Sequence, residues 1–243
     1  MKIFSKTDKG MVRSTNQDSF IAGVLSSGAV FGIVCDGMGG ANAGNVASET
    51  AVKIISEYIK HSYRIGMDEF ETEKMLKNAI DSANSEIYEM SSSNETLNGM
   101  GTTVVIALVQ NNKAIIANVG DSRIYLLKDS ISQLTRDHSV VQSLIESGKI
   151  SPEDAKVHPR KNVITRAIGA EEDIVSDTSV IELEDESALL LCTDGLSSYV
   201  DAETILKVFK NNGAEDVPKK LIELANNAGG SDNITVVLLT QKG

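Results

Sequence analysis

The sequence predicts an α+β fold in which helices are layered on antiparallel β-sheets. Apolar residues recur at steps of three and four in two consecutive stretches, 46–59 and 70–90, as they do on one face of an amphipathic helix. Three short β-rich runs follow at 102–109, 114–120 and 123–127. Because their linkers are too short for a crossover helix, we expect these runs to be antiparallel neighbours. Helices in pairs and strands in runs favour this class over a doubly wound βαβ fold.

The rest of the chain extends the same pattern. The other elements are predicted, in chain order, as a buried strand at 30–35 that leads through Asp36 into a glycine-rich turn, a loop at 91–101, a helix at 139–147, a buried strand at 188–195, helices near 201–211 and 215–228, and a last strand at 233–239. A polar stretch at 147–162 is compatible with a mobile flap. Since no low-complexity linker or internal repeat interrupts the chain, we expect one domain over residues 1–243.

The composition argues against several classes of function. The 243 residues include 23 Lys+Arg and 34 Asp+Glu, a net charge of −11, which argues against nucleic-acid or anionic-membrane binding as the main task. Apolar runs fall short of the ~18–20 residues that a membrane span needs, and the first residues lack the apolar core of a secretory signal. We therefore expect a cytoplasmic protein, and we expect it to be a monomer.

Two other catalytic classes are disfavoured by spacing. Cys35 and Cys192 are too few for a disulfide scaffold or a zinc site, and neither is followed six residues later by Arg, as a cysteine-nucleophile phosphatase loop requires. We expect both to be buried small hydrophobes. A G-x₄-G spacing from Gly39 to Gly44 lacks the Lys and Ser/Thr of a nucleotide-binding P-loop.

Aspartates recur at the ends of apolar strands. Asp36, Asp121 and Asp194 follow such runs, Asp232 directly precedes one, and Asp18 stands before a short apolar stretch. If these strand ends converge, the like charges raise each other's pKa unless a cation neutralises them. Ligand sets made only of oxygen favour Mg²⁺ or Mn²⁺ over zinc. The pattern predicts such a site, although Asp beside Gly is also common in ordinary turns.

A pair of divalent cations would suit phosphoryl chemistry, since two metals can activate a water and hold a phosphoryl group for in-line attack. Arg13 lies five residues before Asp18 and is a candidate for binding the phosphate, because its planar fork matches phosphate oxygens. A solvated surface arginine is the alternative that spacing leaves open.

Eight motifs occur in an order that resembles one family. They are "RSTNQD", "VCDGMGG", "GTTVV", "NVGDSRIY", "TRDHS", "VITRAIG", "LLCTDGLSSYV" and "GGSDNITVVLL". They resemble the metal-dependent Ser/Thr protein phosphatases of the 2C-type or PPM family, above all the compact bacterial members that oppose Hanks-type Ser/Thr kinases. The resemblance runs from about residue 3 to residue 240 and implies a four-layer α-β-β-α sandwich, with two antiparallel sheets flanked by helices.

The resemblance also implies a metal centre. Asp36 would bridge two metal ions, Mn²⁺ or Mg²⁺, and the carbonyl of Gly37 would bind one of them. Asp194 and Asp232 would complete the ligands of the first ion.

Further roles follow from the same resemblance. Asp121 would hold a weaker third ion, Asp18 would act through a metal-bound water, and Arg13 would hold the substrate phosphate. Asn233 and Gly195 would support the site without being ligands.

The implied activity is hydrolysis of phosphoserine and phosphothreonine in proteins by a water or hydroxide that bridges the metals. Its partners would be phosphorylated proteins, including a Ser/Thr kinase and its substrates. Two alternatives stay open at this point: a phosphatase of small phosphomonoesters, and a non-catalytic module that binds phosphoproteins.

One residue departs from the eukaryotic pattern of the family. Met38 stands where eukaryotic members carry a His thought to protonate the leaving group, and methionine cannot donate a proton. His138, in the motif "TRDHS", is a candidate for the missing proton donor, but we expect it to be structural. The segment 145–165 matches the family's variable flap and is predicted to gate substrate or the third metal.

Overall fold

Two antiparallel sheets form the centre of this computed structural model, which describes residues 1–40 and 43–241. The strands are β1 (Lys2–Asp8), β2 (Asp18–Val24), β3 (Val30–Met38), β4 (Gly101–Thr102), β5 (Val104–Gln110), β6 (Lys113–Val119), β7 (Arg123–Leu127), β8 (Ile131–Gln133), β9 (Asp177–Glu182), β10 (Ala188–Cys192) and β11 (Ile234–Thr240). The helices are α1 (Ala43–Ser62), α2 (Glu69–Ser93), α3 (Val140–Glu146), α4 (Pro152–Val157), α5 (Asp194–Ser197), α6 (Ala202–Asn211) and α7 (Val217–Asn227).

The strands divide between the sheets without following chain order. One sheet has the order β1-β11-β10-β7-β8, and the other has the order β2-β3-β5-β6-β9, with β4 paired to β3. Every pairing is antiparallel. Strands β3, β10 and β11 are buried and lie inside their sheets, and the aspartates of interest lie at or near one end of each.

Alternation along the strands builds four layers. On β3, Val30 and Val34 join a core made almost wholly of strand residues, between the two sheets. Phe31, Ile33 and Cys35 on its other face pack with helices α1 and α2. The opposite sheet likewise buries its outer face against α6 and α7. Since successive side chains of a strand point to opposite faces, a strand buried on both sides requires helices outside and a partner sheet inside, as the sequence predicts.

The expected pairing of the three β-rich runs is half right. β5 and β6 pair as antiparallel neighbours, but β7 belongs to the other sheet, where it pairs with β10 and β8. The chain leaves β6 through Gly120, whose φ of +103° is accessible to glycine and costly for other residues. That bend carries the chain across the sandwich. A three-residue linker excludes a crossover helix but does not decide whether a strand stays in the same sheet.

Four strands carry weak sequence signals and are absent from the prediction: β1, β2, β8 and β9. Their residues are mostly exposed or half-buried, for example in the sequence KIFSKTD of β1. β1, β2, β8 and β9 lie at the edges of the two sheets. A strand that is covered on one side only needs few apolar residues, so its composition resembles that of a loop.

The predicted helix at 139–147 is present as α3, and Ser139 caps it by accepting from the backbone N–H of Gln142. The following polar stretch contains the short helix α4, which begins with Pro152 and a capping box between Ser151 and Asp154. The predicted loop at 91–101 begins later, because α2 extends to Ser93. Within the described ranges, no helix is both long and apolar enough to cross a membrane.

Candidate metal centre

Strand pairing places the first two carboxylates side by side. Asp18 on β2 and Asp36 on β3 are cross-strand partners in the antiparallel register. Directly opposed residues have Cβ atoms about 4.5–5.5 Å apart, and like charges in that position destabilise the pair. Asp36 has the same alternation parity as Val34, so its side chain lies on the face turned toward the opposite sheet.

A glycine contact brings the opposite sheet's acids to the same end. Asp194 is the first residue of α5, directly after β10, and Asp232 precedes β11. A Cβ added to Gly195 would lie 1.9 Å from the carbonyl oxygen of Asn233. Only glycine therefore allows the start of α5 to approach the start of β11, and this approach brings Asp194 near Asp232.

The backbone of Gly37 is held between two neighbours. Its N–H donates to the carbonyl of Gln17 at 3.1 Å. A Cβ at this position would lie 2.0 Å from the carbonyl oxygen of Gly44, in the first turn of α1. Glycine at both positions lets the helix start close to the end of β3, beside Asp36.

Asp121 reaches the site through the crossing from β6 to β7. It directly follows Gly120, which packs so closely on Thr103 that a Cβ would lie 2.6 Å from the Thr103 methyl group. The chain crossing that the sequence pattern did not reveal is therefore the feature that brings Asp121 between the two sheets.

These residues line one pocket of about 250 Å³ at the end of the sandwich. Six of the seven predicted site residues are in its lining: Arg13, Asp36, Gly37, Asp121, Asp194 and Asp232. Asp18 is outside this lining. It lines a groove between β2 and α1 and is 8% exposed.

Burial and mutual repulsion raise the pKa values of the acids. The pKa of Asp36 lies well above its ordinary value, first because of burial and then because of the four neighbouring aspartates. Burial likewise raises the pKa of Asp18 and of Asp121 to about 7, with smaller contributions from nearby acids. The pKa of Asp194 is raised by burial and by Asp232, while a hydrogen bond with Asp36 lowers it.

The donor set fits hard divalent cations. One carboxylate oxygen of Asp18, Oδ1, is buried and has no hydrogen-bond partner among the described residues, an arrangement that is costly unless a ligand completes it. Among the described residues, no group of three His, Cys, Asp or Glu side chains is arranged so that it could hold a metal ion without further ligands. Mg²⁺ retains several waters and needs only one or two carboxylates, so carboxylates spaced around a pocket with room for water suit it.

Arg13 provides a positive charge at the pocket. Its Nη2 donates to Oδ2 of Asp232 at 2.9 Å, and its Nε donates to the carbonyl of Ser231 at 3.3 Å. The side chain is 52% exposed. It therefore lies beside the acids while its remaining N–H groups stay accessible to an incoming anion.

His138 lies outside the pocket, as expected of a structural residue. Its ring is buried, the N–H of Gly120 donates to Nδ1 at 3.1 Å, and Nε2 faces Asp177 Oδ2 at 3.1 Å. Because Nδ1 accepts, the proton of the neutral ring is on Nε2, which faces Asp177 Oδ2 and also lies 3.1 Å from Nη1 of Arg166. The backbone N–H of His138 also donates to the carbonyl of Gly120, so the residue holds the turn that carries Asp121.

The pocket is also lined by residues that the sequence motifs did not identify as site residues. They are Gln17, Thr103, Asn162 and Ile164, and Met38 is also in the lining. Thr103 accepts from the backbone N–H of Asp36 at 3.0 Å. Asn162 belongs to the C-terminal end of the predicted flap, and its polar, loop-like surroundings gave no indication that it returns to this pocket.

Comparison with known proteins decides the family. The family model described as protein phosphatase 2C matches residues 11–226. The chain belongs to the protein phosphatase 2C family. A relative from Listeria monocytogenes, named serine/threonine phosphatase stp, is 43% identical over 98% of this chain and 96% of its own length.

Solved structures agree with the phosphatase fold. Stp1, a serine/threonine phosphatase of Staphylococcus aureus, matches with a TM-score of 0.93 at 34% identity, over 100% of this chain and 95% of that one. The catalytic domain of the phosphatase PstP, solved in complex with two manganese ions, matches with a TM-score of 0.84 at 33% identity, over 98% and 96%. The predicted family, the α+β sandwich and the protein serine/threonine phosphatase class are confirmed.

Proposed function

We propose that this phosphatase hydrolyses phosphoserine and phosphothreonine in proteins with two Mn²⁺ or Mg²⁺ ions held at the pocket between the sheets. The observation that carries the proposal is the convergence of Asp36, Asp121, Asp194 and Asp232 on one pocket, where burial and repulsion raise the pKa values of the first three. Such an arrangement is unfavourable in an empty protein and becomes favourable when cations neutralise it.

Each residue has a distinct part in the proposal. Asp36 interacts electrostatically with acids of both sheets and would be shared by both ions, with the backbone of Gly37 beside it. Asp194 and Asp232, brought together by Gly195, would hold one ion. Asp121 would hold a weaker third ion near Asp194.

When bound, the ions supply charge neutralisation and an activated water for in-line attack on phosphorus. Arg13 would hold the non-bridging phosphate oxygens with its accessible N–H groups, which orients the phosphoryl group. Met38 cannot protonate the leaving alkoxide, and the proton of His138 is directed to Asp177, away from the pocket. A water in the pocket is therefore the proposed proton donor.

Proteins are the proposed substrates because the pocket itself would contact only the phosphoryl group, while a larger groove that could hold more of a substrate adjoins it. The relatives are named as serine/threonine phosphatases, and a phosphorylated Ser/Thr kinase and its targets are the proposed partners. A cytoplasmic location and a monomeric state stay predictions from the sequence.

The test is hydrolysis of a phosphothreonine peptide with Mn²⁺, with Mg²⁺ and with EDTA, for the wild type and Asp36→Asn. We expect metal-dependent release of phosphate, and a loss of at least about 100-fold in kcat for Asp36→Asn, of the order found when one electrostatic group of a site is removed. The melting temperature of the metal-free variant should equal or exceed that of the wild type, because a repelling charge is removed.

Near-wild-type turnover by Asp36→Asn, or equal turnover in EDTA, would contradict the proposal. Sugar phosphates serve as the comparison substrate, and faster turnover of these than of the peptide would indicate a small-molecule phosphatase instead. Metal-dependent binding of the peptide without phosphate release would indicate a non-catalytic module.

A further inference from the structure

Two buried threonines from the opposite sheet bind the same oxygen of Asp18. The hydroxyl of Thr193 donates to Asp18 Oδ2 at 2.9 Å, and the hydroxyl of Thr235 donates to the same atom at 2.7 Å. Both threonines are fully buried. Thr193 directly precedes Asp194 and Thr235 lies three residues after Asp232, so the pair connects β2 to the strand ends that carry two of the proposed metal ligands.

The surrounding hydrogen bonds fix the direction of both hydroxyl protons. The backbone N–H of Thr235 donates to Thr193 Oγ1 at 3.0 Å, which occupies a lone pair of that oxygen and leaves its proton for Asp18. Thr7 Oγ1 lies 2.8 Å from Thr235 Oγ1. Since the proton of Thr235 goes to Asp18, Thr7 is the donor in this contact, and Thr7 in turn accepts from Asn16 Nδ2 at 2.8 Å.

The two carboxylate oxygens of Asp18 have different hydrogen-bonding environments. Oδ2 accepts two hydroxyl protons, while Oδ1 is buried and has no partner among the described residues. Buried carboxylate oxygens are normally satisfied, and an unsatisfied one calls for a ligand. If Asp18 only linked the two sheets, the more stable arrangement would place one hydroxyl donor on each of its two oxygens, because both oxygens would then be satisfied.

We propose that Thr193 and Thr235 are positioning residues, which turn the carboxylate of Asp18 so that its free oxygen is presented to the cations of the metal centre or to their water. The inference rests on the proposed function, and it assigns the two threonines a part in metal affinity beyond their part in packing. Groups that orient a metal's ligands typically affect affinity by about 10–100-fold when they are lost.

The test uses Thr193→Val and Thr235→Val, singly and together, because valine keeps the shape and removes only the hydroxyl. Thr193→Ser and Thr235→Ser restore the hydroxyl. Thr72→Val is the matched control: Thr72 is also buried, but its hydroxyl donates to the backbone of Asp68 at the start of α2. The Kd for Mn²⁺ is measured by titration calorimetry on EDTA-stripped protein, beside the melting temperature of each variant with and without Mn²⁺.

We expect each valine variant to bind Mn²⁺ about tenfold more weakly than the wild type, and the serine variants and Thr72→Val to stay within about twofold. The effect should depend on Asp18. In an Asp18→Asn background the valine substitutions should therefore cause no further weakening, as a double-mutant cycle measures.

A Kd for Mn²⁺ that stays within twofold in the valine variants, with a lowered melting temperature of the metal-free protein, would overturn the inference and leave the pair as a tie between the sheets. Weakening that persists unchanged in the Asp18→Asn background would overturn it too. If the wild type itself neither binds Mn²⁺ nor hydrolyses phosphopeptide with it, the proposed function is what has failed.

Discussion

Single side chains at the site differ in how much they contribute to stability and to chemistry, and Arg13 illustrates the difference. Its ion pair with Asp232 is solvent-exposed, at 52% for Arg13 and 33% for Asp232. Exposed ion pairs contribute only about 0–1 kcal/mol. The position of Arg13 beside four acids is thus explained better by an anionic ligand than by folding.

Replacing Arg13 should separate these two roles. We expect Arg13→Ala to change the free energy of unfolding by less than about 0.5 kcal/mol. Loss of a charged hydrogen bond to phosphate, worth ~1.5–3 kcal/mol, should lower kcat/KM for a phosphothreonine peptide by roughly 10–100-fold. The kcat/KM of Arg13→Lys should lie between those of the wild type and Arg13→Ala, since lysine keeps the charge but loses the planar fork.

Steady-state kinetics and urea unfolding measure the two effects. Arg64→Ala is the control, because the guanidinium of Arg64 donates to backbone carbonyls near the end of α1, away from the pocket. An unchanged kcat/KM in Arg13→Ala would show that the arginine does not hold the phosphate.

The flap is the element whose role depends most on the observed structure. None of the residues in α3 is buried, and in α4 only Ala155 is. Between these helices and α5 lies a groove of about 430 Å³, which shares Asp121, Asn162 and Asp194 with the proposed catalytic pocket. A segment with so little buried surface contributes little to global stability, yet it forms one wall of the groove that adjoins the proposed phosphate site.

Replacing residues 149–158 with a glycine–serine linker of equal length should therefore affect extended substrates most. We expect kcat/KM for a phosphothreonine peptide to fall by at least about fivefold, equivalent to the loss of ~1 kcal/mol of binding. Turnover of p-nitrophenyl phosphate should stay within twofold, because this substrate does not reach the groove. Equal losses for both substrates would show that the segment acts on the metal centre instead.

At the scale of the whole molecule, the site exists because two sheets end at the same place. Asp18 and Asp36 come from one sheet, Asp194 and Asp232 from strand ends of the other, and Asp121 from the chain that crosses between them. The fold therefore concentrates negative charge in its interior, and the stability of the metal-free protein must depend on the protonation of these acids.

The sign of that dependence follows from the raised pKa values. Asp18 and Asp121 have pKa values raised to about 7, and those of Asp36 and Asp194 are also raised, mainly by burial. The folded protein then binds more protons than the unfolded chain, so stability present below about pH 4 is lost as the pH rises through about 7. The lowered pKa of the buried His138 acts in the opposite direction and offsets only part of this loss.

In EDTA, we expect the melting temperature to fall between pH 5 and pH 8, by about 2–4 °C for each kcal/mol of stability lost. Saturating Mn²⁺ should reduce the slope, since the cations take over the neutralising role of the protons. Asp18→Asn should also reduce the slope in EDTA. A melting temperature that rises over this pH range in the metal-free protein would contradict the assigned burial of the acids.

Much of this protein could be predicted from the sequence, because strong local patterns reflect strong local constraints. The long buried strands, the two amphipathic helices and the buried cysteines are all present, and Cys35 and Cys192 are fully buried. Six predicted site residues line one pocket, and all of them except Arg13 lie at or near a strand end whose pattern is local. The family follows from eight ordered motifs, which the match over residues 11–226 confirms.

Only the tertiary structure decided which sheet each strand joins and which oxygens face one another. The crossing of β7 to the other sheet, the return of Asn162 to the pocket and the two threonines on Asp18 all join residues far apart in the chain. Local composition reports how deeply a segment is buried, but not against which distant segment it packs. The contacts that orient the carboxylates depend on that choice, because they form only when the two sheets close on each other.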